Sequence, residues 1–297
     1  MQTTDNIDEG SVSQVHLLGA GEIRRLAGQA GITPTKRLGQ NFVIDPGTVR
    51  HIVRQAKVGP GDSVLEVGPG LGSLTLGLLG AGCRVTAVEI DPGLASLLPQ
   101  TVAEYAPQAT GELTVINGDA LCLDPDTQPG LADQGHLVLV SNLPYNVATP
   151  IILTLLERFD NLDRFLVMVQ KEVADRLVAS PGSKIYGAPS LKLAWYGQAW
   201  HAGKIGRNVF WPSPNVDSAL VNFARKRITQ DVDREQVFNL VDGAFRQRRK
   251  TLRAALKGMV DGGAYTAAGV DPGARGESLT IVDFKALARA NGEMTGR

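Results

Sequence analysis

Short, mostly apolar stretches recur along the first two-thirds of the chain and stop at turns: Ser63–Val67, Arg84–Ile90, Leu113–Ile116, Leu137–Val140 and Arg164–Gln170. Runs of this length, closed by Gly, Asp, Asn or Pro, predict strands buried on both faces, as in a parallel sheet. Between them the apolar positions take helical spacing: Val49, Ile52, Val53 and Ala56, then Leu74, Leu78 and Leu79, then Thr149–Phe159 and Lys171–Leu177. Asp45-Pro46 reads as a helix start, with Asp45 as the cap and proline in the first turn. Strand alternating with helix predicts an α/β domain. The aromatic stretch Pro189–His201 predicts a sixth strand with its flank, and Ala219–Ala224 a last one. After Asp231 the pattern is wholly helical. Val237, Leu240, Val241, Ala244, Phe245, Leu252, Leu256 and Met259 form one stripe, and Ile281–Ala290 makes a final helix. At the other end, Glu22–Ala30 suits a short helix, and the residues before it are polar and aperiodic. The expected organisation is a partly disordered tail over 1–30, an α/β domain over 31–228 and a helical domain over 229–297.

Charge changes the picture only when it is read locally. The chain has 297 residues and a formal net charge of zero. Yet Arg24, Arg25, Lys36, Arg37, Arg50, Arg54 and Lys57 face only Asp45 across the span 24–57. The span 58–135 is acidic, with Arg84 its one base. From Ala244 to Lys257 there are Arg246, Arg248, Arg249, Lys250, Arg253 and Lys257 and no acid. Basic blocks on either side of an acidic one make a footprint for a polyanion. No apolar run approaches the ~18 residues that a membrane helix needs. Cys83 and Cys122 have no metal-ligand spacing. These features predict a cytoplasmic chain with neither membrane nor metal.

The candidate chemistry sits where the predicted strands end. Ser63–Val67 runs into Gly68-Pro69-Gly70-Leu71-Gly72, and the next strand ends at Glu89-Ile90-Asp91. Glycines let backbone approach a ligand, and an acid about twenty residues on accepts from ribose hydroxyls. That spacing alone suits NAD as well as other nucleosides. Asp119 closes the third strand, where it either accepts from an adenine amine or merely caps the turn. The fourth strand ends at Asn142-Leu143-Pro144-Tyr145. Asn-x-Pro also makes ordinary turns. In this position, however, the Asn142 amide oxygen and the Pro144 carbonyl can accept both hydrogens of an aromatic amine, with the Tyr145 ring beside it. A nucleoside cofactor on the first strands and an adenine on the fourth is the layout for methyl transfer to a base.

The motifs Leu38–Phe42, Leu65–Gly72, Val88–Asp91, Gly118–Ala120, Asn142–Asn146, Gln170–Ala174, Val209-Phe210, Val216–Ala219 and Phe245–Leu252 run in order from about residue 36 onward. Together they resemble the small-subunit ribosomal RNA adenine dimethyltransferases. The resemblance implies a Rossmann-like S-adenosylmethionine-dependent methyltransferase sheet with a small C-terminal α-helical domain. It implies that Asn41 and Val43 close over the cofactor, that Gly68 approaches its methionine end and that Glu89 holds the ribose. Asp119 would take the adenine amine, and Asn142 would stand at the junction with substrate. Tyr145 and Phe210 would stack on the target base, although plain core packing is the competing reading of Phe210. Arg246, Arg248, Arg249 and Lys250 would bind RNA. The implied partner is small-subunit ribosomal RNA in the pre-30S particle, approached by a monomer. Trp211 and Asn215 depart from the family pattern, which expects proline or a smaller residue there. Competing readings are a large-subunit rRNA adenine dimethyltransferase and a non-catalytic RNA- or ribosome-binding assembly factor.

Overall fold

A computed structural model describes residues 15–31, 41–133, 135–227 and 231–295. Predictions for the first fourteen residues, for Lys36–Gln40 and for the domain boundary at 228/229 fall outside them. The chain runs α1 (Ala20–Gln29), β1 (Phe42–Val43), α2 (Pro46–Ala56), β2 (Ser63–Val67), α3 (Ser73–Gly80), β3 (Arg84–Glu89), α4 (Pro92–Tyr105), β4 (Leu113–Asn117), α5 (Pro129–Ala132), β5 (Leu137–Asn142), α6 (Ala148–Arg158), β6 (Leu162–Gln170) and α7 (Lys171–Leu177). It continues through α8 (Ala188–Tyr196), β7 (Gly197–Ile205), β8 (Phe210–Trp211), β9 (Ser218–Arg225), α9 (Arg234–Arg246), α10 (Leu252–Ala255), α11 (Gly262–Ala268) and α12 (Ile281–Thr295).

The central sheet has the order β4-β3-β2-β5-β6-β9-β7, parallel up to β6 and antiparallel at β9 and β7. Its buried runs explain their own composition. In β5, Leu137 and Leu139 enter one apolar core while Val138 and Val140 enter the other, so these four positions are all apolar. Helices α1 to α4 supply the second of these cores. Helix α6 covers the opposite face, and that core continues without a break into α8, α9 and α12. The chain builds outward from β2 to β4 and then crosses back to β5. The crevice at the carboxyl ends of β2 and β5 is therefore the switch point where open α/β sheets take ligands. There the two strands diverge, and Ser141 Oγ accepts the Val67 N–H at 2.8 Å in place of a ladder bond.

Three expectations change. Residues 15–31 are packed, not a tail: Leu18, Ile23, Leu26 and Ala27 are buried against α2, α3 and α4. The stretch after Gly187 is first a helix and only then a strand. Pro189 occupies the first turn of α8, and Ser190 Oγ accepts from the Gly187 N–H at 3.2 Å, so the strand begins at Gly197. The apolar stripe from Val237 to Met259 is not one helix either. Helix α9 ends at Arg246, and Lys250 N–H donates to the Gln247 carbonyl at 2.8 Å in a turn before α10. Among the described residues no helix is long and apolar enough to cross a membrane.

Candidate active site

The ends of β2, β3, β4 and β5 open into one cleft, lined among others by Gly68, Glu89, Asp119 and Asn142. Gly68, Gly70 and Gly72 all carry positive φ (71°, 58° and 94°), which side chains rarely adopt. A Cβ at Gly70 would also stand 2.8 Å from the Phe42 ring. The turn thus keeps backbone, rather than side chains, at the cleft's floor. Phe42 and Val43 form β1, which pairs antiparallel with β8 (Phe42↔Trp211, Val43↔Phe210). That ribbon brings Asn41 and Val43 into the cleft wall beside Gly68, Glu89, Asp119, Asn142 and Pro144. Sequence positions a hundred residues apart meet there.

Glu89 is not on an exposed strand end, as its terminal position suggested. It is 5% exposed, and its two carboxylate oxygens accept from Gly70 N–H (3.2 Å) and Asp91 N–H (3.0 Å). Burial pushes its carboxyl up, and the amides of Asp91 and Gly70 pull it back. Asp119 faces the cleft and also caps its turn, with Oδ1 accepting from Leu121 N–H at 2.9 Å. Pro144 O already accepts from Val147 N–H at 3.2 Å; a carbonyl has two lone pairs, so a second donor is still accommodated.

Asn142 carries the sharpest feature of the site. Its Nδ2 donates to the Asn41 carbonyl at 3.0 Å, which fixes the orientation of the amide. Its Oδ1 is buried and has no hydrogen-bond partner among the described residues. Leaving a buried acceptor unpaired costs about 1–3 kcal/mol. The residue that carries this unpaired acceptor lines the cleft.

The remaining predicted residues are placed differently. Tyr145 and Phe210 do not line the cleft. Tyr145 is half-buried at its rim, with Oη hydrogen-bonded to Ser218 Oγ. Phe210 is 3% exposed and packs in the core with Phe42 and Val43, so the packing reading describes its place here. Trp211, the departure from the family pattern, stacks on Phe42 at 6.3 Å between centroids. In the basic segment Arg246, Arg249 and Lys250 are exposed. Arg248 is not: its guanidinium pairs with Glu277 (2.9 Å) and donates to the Lys184 carbonyl (2.6 Å), tying the segment to the loop before α8. In this fold it acts as a tether.

Sequence reading missed Phe42 as a cleft wall, Ile90 as an exposed apolar lip (54%) and Glu66 as a buried acid. Only Ile90 had a signal, an apolar residue between two acids at a strand end. Glu66 is 1% exposed, its Oε2 accepts from Thr75 Oγ1 at 2.6 Å, and burial pushes its carboxyl up to about 8. A carboxyl raised in the folded chain binds its proton more tightly there than in the unfolded one. Its contribution to stability is therefore complete below the ordinary value of 4.5 and is lost as pH rises toward 8. Glu66→Gln is expected to gain stability relative to the parent between pH 5 and 8, by up to about 1.4 kcal/mol per pH unit. Denaturant titrations across that range test this, and a pH-independent difference would contradict it.

The residues present suit S-adenosylmethionine: a glycine turn open to backbone approach, a buried carboxylate at the end of the next strand, and an apolar wall of Phe42, Ile90 and Leu94 for a ring. Comparison with known proteins agrees. The model of the ribosomal RNA adenine dimethylases matches residues 33–290. The chain is 63% identical over 287 residues to a ribosomal RNA small subunit methyltransferase A of Bifidobacterium longum subsp. infantis, covering 93% of this chain and 94% of that one. It is 54% identical over 286 residues to the protein of the same name from Streptomyces griseus, covering 94% and 97%. Among solved structures it is similar to the 23S rRNA methyltransferase ErmE, with TM-score 0.63 and 25% identity over 85% of this chain and 100% of that one. A dimethyladenosine transferase from Plasmodium falciparum shares the fold, with TM-score 0.67 and 24% identity over 83% and 95%. The chain belongs to the ribosomal RNA adenine dimethylase family.

Proposed function

We propose that this chain dimethylates the N6 amine of two adjacent adenosines in the 3′-terminal hairpin loop of small-subunit ribosomal RNA, drawing on S-adenosyl-L-methionine. The observation that carries the reading is the buried, unpartnered Oδ1 of Asn142, whose amide is oriented by the Asn41 carbonyl. Gly68, Glu89 and Asp119, with Asn41 and Val43 from the β1 ribbon, would hold the cofactor. When bound, the cofactor supplies a methyl group already activated on a sulfonium, so the chain needs no nucleophile of its own.

What the chain supplies is position and dipoles. The lone pair of an adenine amine is delocalised into its ring, which makes it a poor nucleophile. Accepting its two hydrogens, one at Asn142 Oδ1 and one at Pro144 O, favours a pyramidal nitrogen with its lone pair free to attack. Each methylation adds a carbon to that nitrogen and releases one proton from it to solvent. Both acceptors are fixed before substrate arrives, so little reorganisation is left for the transition state. The base must leave its stack to reach this edge, and stacking on Tyr145 repays about 1–3 kcal/mol of that cost.

The small-subunit reading is favoured over the large-subunit one because relatives named for the small subunit stand at 63% identity and ErmE at 25%. The assembly-factor reading leaves the buried Asn142 acceptor without a purpose. The proposed setting is a monomer acting on the pre-30S particle in the cytoplasm. Incubation with labelled cofactor and undermethylated subunits tests the reading. Label on small-subunit RNA is expected. Label on large-subunit RNA would select the sister activity, and cofactor binding without transfer the assembly factor.

RNA affinity is expected to rest on exposed bases rather than on the cleft. Arg249→Ala combined with Lys250→Ala should weaken subunit binding, spare cofactor binding, and lower the salt slope by about 0.7–0.9 for each phosphate no longer neutralised. An equal effect at low and high salt would mean that the two residues act through folding.

A further inference from the structure

Strand β9 starts at Ser218, which no part of the mechanism has so far used. Its side chain is 0% exposed, and its Oγ lies 2.6 Å from Tyr145 Oη. The serine is held on both sides by sheet register, opposite Gln170 of β6 and Ile205 of β7. Its neighbour Asp217 turns outward to Arg207 Nε at 3.3 Å, and the Asp217 carbonyl accepts from Lys171 N–H at 2.9 Å. Tyr145 is framed differently. It lies half-buried in the turn between β5 and α6, outside both elements, and its Oη is hydrogen-bonded to Ser218 of the sheet. An aromatic side chain on a turn has two soft torsions, and a hydrogen bond at the far end of the ring pins both.

We propose that Ser218 is a positioning residue for methyl transfer: it anchors Tyr145 Oη to the sheet and so sets the ring face on which the target adenine stacks in line with Asn142 Oδ1 and Pro144 O. The inference rests on the methyl-transfer reading above. Ser218 is too deeply buried to touch RNA or cofactor, so whatever it contributes passes through the tyrosine. The consequence reverses a simple expectation. If only the ring face mattered, Tyr145→Phe would be harmless; with Ser218 as the anchor, removing either hydroxyl releases the ring.

The test compares Ser218→Ala, Ser218→Thr, Tyr145→Phe and the Ser218→Ala/Tyr145→Phe pair, using small subunits and labelled cofactor under single-turnover conditions. Misplacing a reacting group by about 1 Å costs on the order of 100-fold, so Ser218→Ala is expected to slow transfer by about 10- to 100-fold. Subunit affinity and calorimetric cofactor affinity should stay at the parent values. Tyr145→Phe, which keeps the ring's volume, should match it, and Ser218→Thr should restore most of the rate. The double variant should be no slower than either single one, because both remove the same bond. Parent rates in both single variants would overturn the inference while leaving the function intact. So would additive losses, or a slowdown matched by weaker subunit affinity. A parent chain that leaves the adenosine amines unmethylated would overturn both.

Discussion

Asn142→Ala is expected to slow single-turnover methyl transfer by about 10²- to 10³-fold, the usual loss on removing one preorganised dipole from a reacting centre. Small-subunit affinity should largely survive. The reason lies in when the bond matters. On the proposed reading, Oδ1 would take a hydrogen of the amine, and that bond would strengthen as the nitrogen turns pyramidal, so it would lower the barrier more than it aids binding. RNA affinity would then arise elsewhere, on exposed basic residues such as Arg246, Arg249 and Lys250. Alanine also removes the amide that donates to the Asn41 carbonyl, so β1 loses one attachment at the cleft. Cofactor affinity measured alongside shows how much of the slowdown comes from that side. Near-normal turnover in the variant would reduce the motif to a turn.

Glu89→Ala is expected to weaken cofactor binding by about 10- to 100-fold, since hydrogen bonds to a charged group contribute about 1.5–3 kcal/mol. Two effects add. The ribose would find no carboxylate, and Gly70 N–H and Asp91 N–H would be without the acceptor that shapes the glycine turn and the strand end. The empty fold should survive, because burial already disfavours this charge. Calorimetric titration, with a denaturation curve to show that the variant is folded, checks both halves. Unchanged affinity in a folded variant would remove Glu89 from the site.

The sheet edge was legible because its signals are local. An unbroken apolar run that meets Asn142-Leu143-Pro144 has to leave the sheet there, and Gly68 and Glu89 sit one strand-helix-strand unit apart. What escaped reading depends on partners distant in sequence. Arg248 looks like its neighbours in a basic run; only the fold brings Glu277, twenty-nine residues on, to its guanidinium. Phe210 follows a strand-like pattern that cannot say whether its ring faces a cleft or a core. Glu66 lies within an apolar strand, and nothing in its neighbours reveals that Thr75 will meet it on the next helix. Helix α8 was misread because aromatic and apolar residues suit a strand equally well; the Gly187–Ser190 hydrogen bond that starts the helix is a single side-chain interaction.

A cleft that presents acceptors to an exocyclic adenine amine fixes which atom of the RNA is methylated, so the identity of the product is decisive. Small subunits lacking the modification should be reacted with the chain and S-adenosylmethionine, their RNA digested to nucleosides, and the products resolved by mass spectrometry and mapped. N6,N6-dimethyladenosine is expected at two neighbouring positions near the RNA's 3′ end, and its disappearance in Asn142→Ala. Methyl groups on a ring nitrogen or a ribose hydroxyl, or unmodified adenosines throughout, would contradict it.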